Sequence, residues 1–249
     1  MTLDEILIEI KNAESIVILT HESPDGDAIG SSLAMKKILE KLGKNADVII
    51  PEFSRMYNFV PGIEYVKKES DVEQYDLAIA VDNADLKRLS AKEHFENAKK
   101  TISIDHHGSN QMYADLNFVN PVAPACCEVL AGMLGYYQIE MDKDIGTCLM
   151  TGIITDTGGF RHQGITAETF EFTADLIRIG VDIPFIYEKT MTTKTKANFE
   201  LTKRILDRME LLEDGKIAFT YINKQDKEEV GAEPGDQEGL VDIGRNIEG

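Results

Sequence analysis

The residues best suited to chemistry in this chain are aspartates and histidines gathered in a few short segments. They are His21-x-x-x-Asp25-x-Asp27, Asp82, the run Asp105-His106-His107, and Asp156 within TGIITDTGGF. Mixed Asp and His donors without a cysteine cluster suit Mn²⁺, Mg²⁺ or Zn²⁺ and argue against a structural zinc site. Asp25 and Asp27 stand two apart on a Gly-containing stretch. If that stretch is an extended loop, the two side chains point the same way and can each feed a different ion. Two ions about 3.5–4 Å apart need a carboxylate between them. Asp82, at the end of a central strand, is the natural bridge. One ion would then be held by His21, Asp25 and Asp82, and the other by Asp27, Asp82, His106 and Asp156. Such a pair is suited to phosphoester hydrolysis, with water activated between the cations and positions left for a phosphate oxygen.

These residues need elements to place them. Residues 2–13 read as an amphipathic helix with Thr2 as its cap. SIVILT, ADVII, YDLAIAVD and KTISIDHH are apolar, strand-like runs. Three of them end on chemistry: His21 follows SIVILT, Asp82 closes LAIAVD and Asp105 closes TISID. Between the first two strands, HESPDGDAIG reads as a polar loop and SSLAMKKILEKLG as a helix ending at Gly43. Strand–helix alternation predicts an α/β domain, with a parallel sheet and helices on both faces. In such sheets ligands bind at the carboxyl ends of the strands. After residue 120 the pattern turns helical, through CEVLAGMLGYY, DIGTCLMTGIIT and TAETFEFTADLIRIG. A polar-faced helix over residues 191–212 then leads to a turn at Asp214–Gly215, a strand over Ile217–Ile222 and a helical start near Gln237–Ile247. This divides the chain into residues 1–190, a linker helix at 191–212, and the start of a smaller α/β domain at 213–249.

Composition narrows the function classes. The chain has 249 residues, with 26 Lys and Arg against 44 Asp and Glu, a net charge of −18. A protein so acidic repels long polyanions, so a duplex-DNA reader is disfavoured. A small anionic substrate remains open if bound cations carry the site. No apolar stretch is long enough to span a membrane, and the N-terminus lacks a signal-peptide pattern. Three cysteines, two of them adjacent, do not form a disulfide framework, which points to a reducing cytoplasm. Cys126 and Cys127 read as packing residues.

Each segment has a bland reading by itself. Ser23-Pro24-Asp25-Gly26-Asp27 could be only a turn, Asp82 a strand end, His106-His107 a surface pair and Asp156 a helix cap. Their joint placement at matching topological positions carries the metal reading. Arg161, five residues past Asp156, is a weaker candidate for holding a phosphate through its planar fork.

His21-Glu22-Ser23-Pro24-Asp25-Gly26-Asp27-Ala28-Ile29-Gly30-Ser31, Val81-Asp82-Asn83-Ala84-Asp85, Asp105-His106-His107 and Thr155-Asp156-Thr157 resemble, in order and spacing, the four motifs of the DHH phosphoesterase superfamily. The resemblance covers residues 15 to about 190. Within the superfamily, TGIITDTGGFR followed by TAETFEFTADLIRIGVD is similar to the nano-RNase branch, oligoribonucleases that also act on 3′-phosphoadenosine 5′-phosphate (pAp). The resemblance implies a DHH domain followed by a smaller DHHA1 domain, and two Mn²⁺ ions, with Mg²⁺ as an alternative. It implies that His107 contacts the scissile phosphate and that Asp105 supports the histidines. The implied substrates are short single-stranded oligoribonucleotides or dinucleotides and pAp, making the chain an exoribonuclease and 3′(2′),5′-bisphosphate nucleotidase. pApA or cyclic di-AMP is the nearest alternative substrate. A manganese pyrophosphatase or a non-catalytic nucleotide-binding protein is further off. Two departures stand out. Ala125-Cys126-Cys127-Glu128 replaces a Ser/Thr-rich family segment. The Gly-rich, His-ended motif of the DHHA1 domain does not occur before Gly249, so weak substrate grip is expected, together with a homodimer formed through an exposed strand edge as one option.

Overall fold

The computed structural model describes residues 2–248. Helix α1 (Leu3–Asn12) opens the chain, and Thr2 and Glu5 cap it reciprocally, each side chain accepting from the other's backbone N–H. Its Ile6 and Ile10 are buried, as the periodicity predicts. Strand β1 (Ile16–Leu19) is buried at every position, the mark of a strand covered on both faces. Helix α2 (Gly26–Lys41) follows, then β2 (Ala46–Ile49), a two-residue β3 (Val66–Lys67) and β4 (Leu77–Val81). Helix α3 (Lys92–Asn97) leads to β5 (Lys100–Asp105) and β6 (Leu116–Val119). Helices α4 (Cys126–Tyr137), α5 (Lys143–Asp156), α6 (Ala167–Arg178) and α7 (Ile183–Tyr187) come next. Strands β3 and β6 carried too little apolar pattern to stand out; β6 is only half-buried throughout.

The six strands form one parallel sheet in the order β3-β2-β1-β4-β5-β6. The order runs outward in opposite directions from β1 and β4. Their carboxyl ends therefore flank a topological switch point, where open α/β sheets bind ligands. His21 lies just past β1 and Asp82 just past β4. The sheet is covered on both faces, unevenly. Ile16, Ile18, Ile79, Ile102 and Ile104 pack with residues of α2, α4 and α5 in the larger core. The alternate residues Val17, Leu19, Ala78 and Ala80 meet Tyr75, Leu89 and Phe95, with α3 the helix on that side.

Helices α2 and α5 cross very closely. A Cβ on Gly30 would strike the Cys148 carbonyl, and one on Gly152 would overlap Asp27 and the Cys127 thiol. Glycine is required at these positions by the approach of the two helices, not by a turn.

The chain divides into two compact units between Thr192 and Thr193. In the sequence, residues 191–212 looked like one helix; three different elements occupy them. A π-helical turn at Glu188–Thr192 ends the first unit, and α8 (Lys196–Asp207) starts the second, capped by Thr195. Residues Glu210–Leu212 form β7, paired antiparallel with β8 (Ile217–Phe219), so that strand ends earlier than Ile222. Helix α9 (Lys224–Glu229) and a short α10 (Asp242–Arg245) complete the unit. Its small core is Leu201, Ile205 and Leu240. Asp226 ties α9 to α8: Oδ1 accepts from Arg204 at 2.9 Å and Oδ2 from Arg208 at 2.5 Å. The apolar hairpin residues Leu211, Ile217 and Phe219 are exposed.

Candidate metal centre

Loop, helix cap and strand end converge on the switch point. Asp25 and Asp27 were expected on an extended loop, but the chain is already helical between them. Asp25 is the N-cap of α2, and Asp27 already lies in its first turn. The Asp25 Oδ1 accepts from the backbone N–H groups of Asp27 and Ala28 at 3.0 and 3.1 Å. Side chains two residues apart at a helix start point in different directions, so the two carboxylates face different partners. That divergence, rather than a shared direction, lets them serve two positions.

His21 is held by a β-bridge to Leu89, and its Nδ1 lies 2.8 Å from the Glu22 carbonyl oxygen. With Nδ1 donating there, Nε2 is the atom left to meet a cation. Nε2 is 3.7 Å from Asp82 Oδ2 and 4.0 Å from Asp25 Oδ1. His106 is arranged in the same way. Its Nδ1 lies 3.2 Å from the Ala123 carbonyl, while Nε2 faces Asp156 Oδ2 at 3.2 Å, Asp82 Oδ1 at 3.5 Å and Asp27 Oδ2 at 3.8 Å. Asp82 thus directs one oxygen to each histidine. Its backbone takes a positive φ of 51°, a conformation that aspartate and asparagine tolerate better than most side chains.

Asp27 is fully buried at the N-terminus of α4, where Oδ2 accepts from Cys126 N at 2.5 Å and Oδ1 from Cys127 N at 2.9 Å. Two free N–H groups and the helix dipole hold this carboxylate. Sequence reasoning missed that role for Ala125-Cys126-Cys127-Glu128. The available signal was the position of those residues at a helix start, where the backbone makes the contact whatever the side chain. Asp156 is the last residue of α5, not a loop residue or an N-cap.

Electrostatics report the crowding. Burial, then Asp82 and Asp156, raise the Asp25 carboxyl to about 6, and the same three causes push Asp27 well above its ordinary range. Burial likewise raises Asp156. Burial pulls both histidines down, but the carboxylates outweigh it and lift His21 to about 9 and His106 to about 11. Asp82 goes the other way: burial opposes its charge, yet His106 and His21 hold it below the usual carboxylate range. The cluster demands positive charge, supplied by protons or by metal.

Two groups of donor atoms each lie within 4.8 Å of one another: His21, Asp25 and Asp82; and Asp27, His106 and Asp156. Asp82, Asp105, His106 and His107 form a further overlapping group. Both oxygens of Asp105 are already engaged, however. Oδ1 accepts from His106 N and lies 2.8 Å from His107 Nδ1, while Oδ2 accepts from Asn110 Nδ2 at 2.7 Å. Asp82 Oδ1 and His106 Nε2 are buried without a hydrogen-bond partner among the described residues. Buried orphans of this kind call for an unseen partner. Oxygen and imidazole donors aimed at one another fit a divalent cation.

The site opens into a cleft of about 360 Å³, lined in part by His21, Asp25, Asp82, His107 and Asp156. Arg88, Ser109 and Gln111, which the sequence did not single out, line it too. Arg161 is not on this wall; its Nε donates to the Gly158 carbonyl at 3.1 Å.

The N-terminal domain of the DHH family matches residues 15–153, a span that holds five of the six donors named above. The chain belongs to the DHH family. Among relatives, a bifunctional oligoribonuclease and PAP phosphatase NrnA of Thermus thermophilus is 30% identical over 237 residues, covering 94% of this chain and 69% of the relative. A cyclic-di-AMP phosphodiesterase PdeA of Listeria monocytogenes is 24% identical, covering 85% of this chain and 35% of the relative. An exopolyphosphatase-related protein from Bacteroides fragilis shares the fold with a TM-score of 0.88 at 26% identity, over 99% of this chain and 76% of that one. The family and these relatives make the DHH chain a hydrolase with a divalent-metal site. No helix among the described residues is long and apolar enough to cross a membrane.

Proposed function

We propose that this DHH protein is a manganese-dependent phosphoesterase that hydrolyses short oligoribonucleotides to mononucleotides and pAp to AMP. The observation that carries the reading is the split of Asp82, whose two oxygens face His21 at 3.7 Å and His106 at 3.5 Å across a cleft. The oligoribonuclease and PAP phosphatase relative supports the substrate class.

In this reading His21, Asp25 and Asp82 hold one ion, and Asp27, Asp82, His106 and Asp156 hold the other. When bound, the ions supply neutralisation of phosphoryl charge and a water acidic enough to attack at neutral pH. The chain's own residues do the rest. Asp105 fixes His107 through Nδ1, which leaves Nε2 as the ring nitrogen available to donate on a side chain that lines the cleft. Asp105 also raises the His107 pKa, so the ring keeps a proton to place on a phosphoryl or leaving oxygen. Asn110 locks the Asp105 carboxylate in turn. Residues from 213 onward are read as the beginning of the substrate-binding DHHA1 domain, and the protein as cytoplasmic.

The test is a panel of pAp, a ribotrimer, pApA and pyrophosphate, each with Mn²⁺. AMP from pAp and mononucleotides from the trimer are expected. Turnover of pyrophosphate alone would refute the proposal. Turnover of pApA alone would call for cyclic di-AMP as a fifth substrate, and its hydrolysis would move the protein to the activity named for the Listeria relative.

A further inference from the structure

The segment that carries the bridging Asp82 returns to the cleft six residues later. Past Asp82 the chain runs through Asn83, Ala84 and Asp85 into the 3₁₀ turn Leu86–Arg88. That turn is pinned on both sides. Arg88 N donates to the Asp85 carbonyl at 2.9 Å, and Asp85 Oδ1 accepts from Lys87 N at 2.9 Å. On the other side the Arg88 carbonyl accepts from Glu22 N at 2.7 Å, beside His21. Gln111 N reaches the Ala84 carbonyl at 3.0 Å, and Asn83 Nδ2 donates to Tyr113 at 2.8 Å. The base of the Arg88 side chain is thus fixed relative to His21, Asp82 and the His107 loop.

Arg88 lines the same cleft as those residues and is the one Lys or Arg to do so among the described residues. Four aspartates line it as well: Asp25, Asp82, Asp85 and Asp156. Its guanidinium nevertheless makes no ion pair or side-chain hydrogen bond among the described residues. In a chain of net charge −18, an arginine in an acidic cleft that pairs with none of its aspartates is available to an incoming anion. The scissile phosphate belongs at the Asp/His cluster. A guanidinium on the adjoining wall is placed for a second anionic group, and its planar fork matches two phosphate oxygens.

We propose that Arg88 grips the non-scissile phosphate of the substrate and sets a preference for substrates with two phosphates. This rests on the phosphoesterase reading above. In pAp the second group is the phosphate at the far end of the nucleoside; in a short oligoribonucleotide it is the neighbouring phosphodiester. Ser109 and Gln111, on the same cleft, add neutral donors suited to ribose or phosphate oxygens. The role assigned from sequence to Arg161 passes to Arg88.

The test compares pAp with adenosine 3′-monophosphate, which lacks the second phosphate, on Mn²⁺-loaded wild type, Arg88→Gln and Arg88→Lys. The kcat/KM ratio of pAp to the monophosphate should fall by about 30-fold in Arg88→Gln, mostly through KM. Arg88→Lys should lie between, because it keeps the charge and loses the fork. A ratio unchanged in Arg88→Gln, whether both activities fall together or neither does, overturns the assignment. If the wild type hydrolyses neither pAp nor a ribotrimer, the oligoribonuclease and pAp-phosphatase reading fails instead. Equilibrium binding of the two compounds to the same proteins then decides Arg88, with pAp losing its advantage in Arg88→Gln if the proposal holds.

Discussion

Replacing His107 by alanine should lower kcat by about 10²–10⁴-fold and leave metal content unchanged. His107 is anchored through Nδ1 to Asp105, which is itself held by Asn110 and the His106 N–H. His107 Nδ1 is taken up by Asp105 at 2.8 Å and lies farther from the proposed ligand Asp82, at 3.7 Å, so its loss removes a proton donor and no assigned ligand. His106→Ala should behave in the opposite way. Its Nε2 stands among Asp27, Asp82 and Asp156, and without it two buried carboxylates and a half-buried one are left to repel one another. Metal should leave first and activity with it. Elemental analysis of the two variants beside their turnover checks the assignment. Metal lost from His107→Ala and retained in His106→Ala would mean that the two histidines have been exchanged.

Gly152→Ala should damage the site as badly as removing a ligand, although Gly152 carries no chemistry. A Cβ at this position overlaps Asp27 Oδ1 and the Cys127 thiol. Neither can yield easily. Asp27 is gripped by two N–H groups at the start of α4, and Cys127 is fully buried. Overpacking of this kind costs about 1–3 kcal/mol, and here the strain falls on a proposed metal ligand. Gly30→Ala is the matched control. Its Cβ would strike the Cys148 carbonyl first, with the Cys127 thiol and Gly152 N next at 3.1 and 3.2 Å, so the main clash is with a backbone atom of α5 rather than with a ligand carboxylate. Both variants should melt below the wild type, and only Gly152→Ala should lose Mn²⁺ affinity. Equal affinities in the two would separate the helix crossing from the metal site.

Much of this was legible in the sequence, for identifiable reasons. Buried strands such as Ile16–Leu19 advertise themselves because every position is apolar. The aspartates and histidines at their ends then sit where strand topology puts a site. The sequence could not show where a loop becomes a helix. Gly26, Asp27, Ala28 and Gly30 have turn-like composition, yet they are helical because α5 packs against them and the Asp25 side chain caps them. Residues 191–212 misled for the converse reason. Helical composition continued across a boundary that is set by packing within each unit. Arg88 was invisible because its neighbours in sequence are unremarkable. The link between its turn and the His21 strand end is a pair of backbone contacts that no side-chain pattern records.

The central claim is that Asp82 joins two metal positions, and a Mn²⁺ titration of the wild type and Asp82→Asn tests it most directly. Asparagine keeps the volume and tolerates the positive φ at this position, so the change removes charge with little backbone strain. The wild type should take up two ions per chain and release protons as it does so. His21 at about 9 and His106 at about 11 hold protons that a cation must displace, and Asp25 at about 6 adds one only at the acid end of the range. Affinity should therefore rise as the pH is raised from about 6 to 9. In Asp82→Asn both sites should weaken together, because one lost carboxylate serves both. Two tight sites persisting in the variant, or the loss of one with the other untouched, would contradict a shared carboxylate.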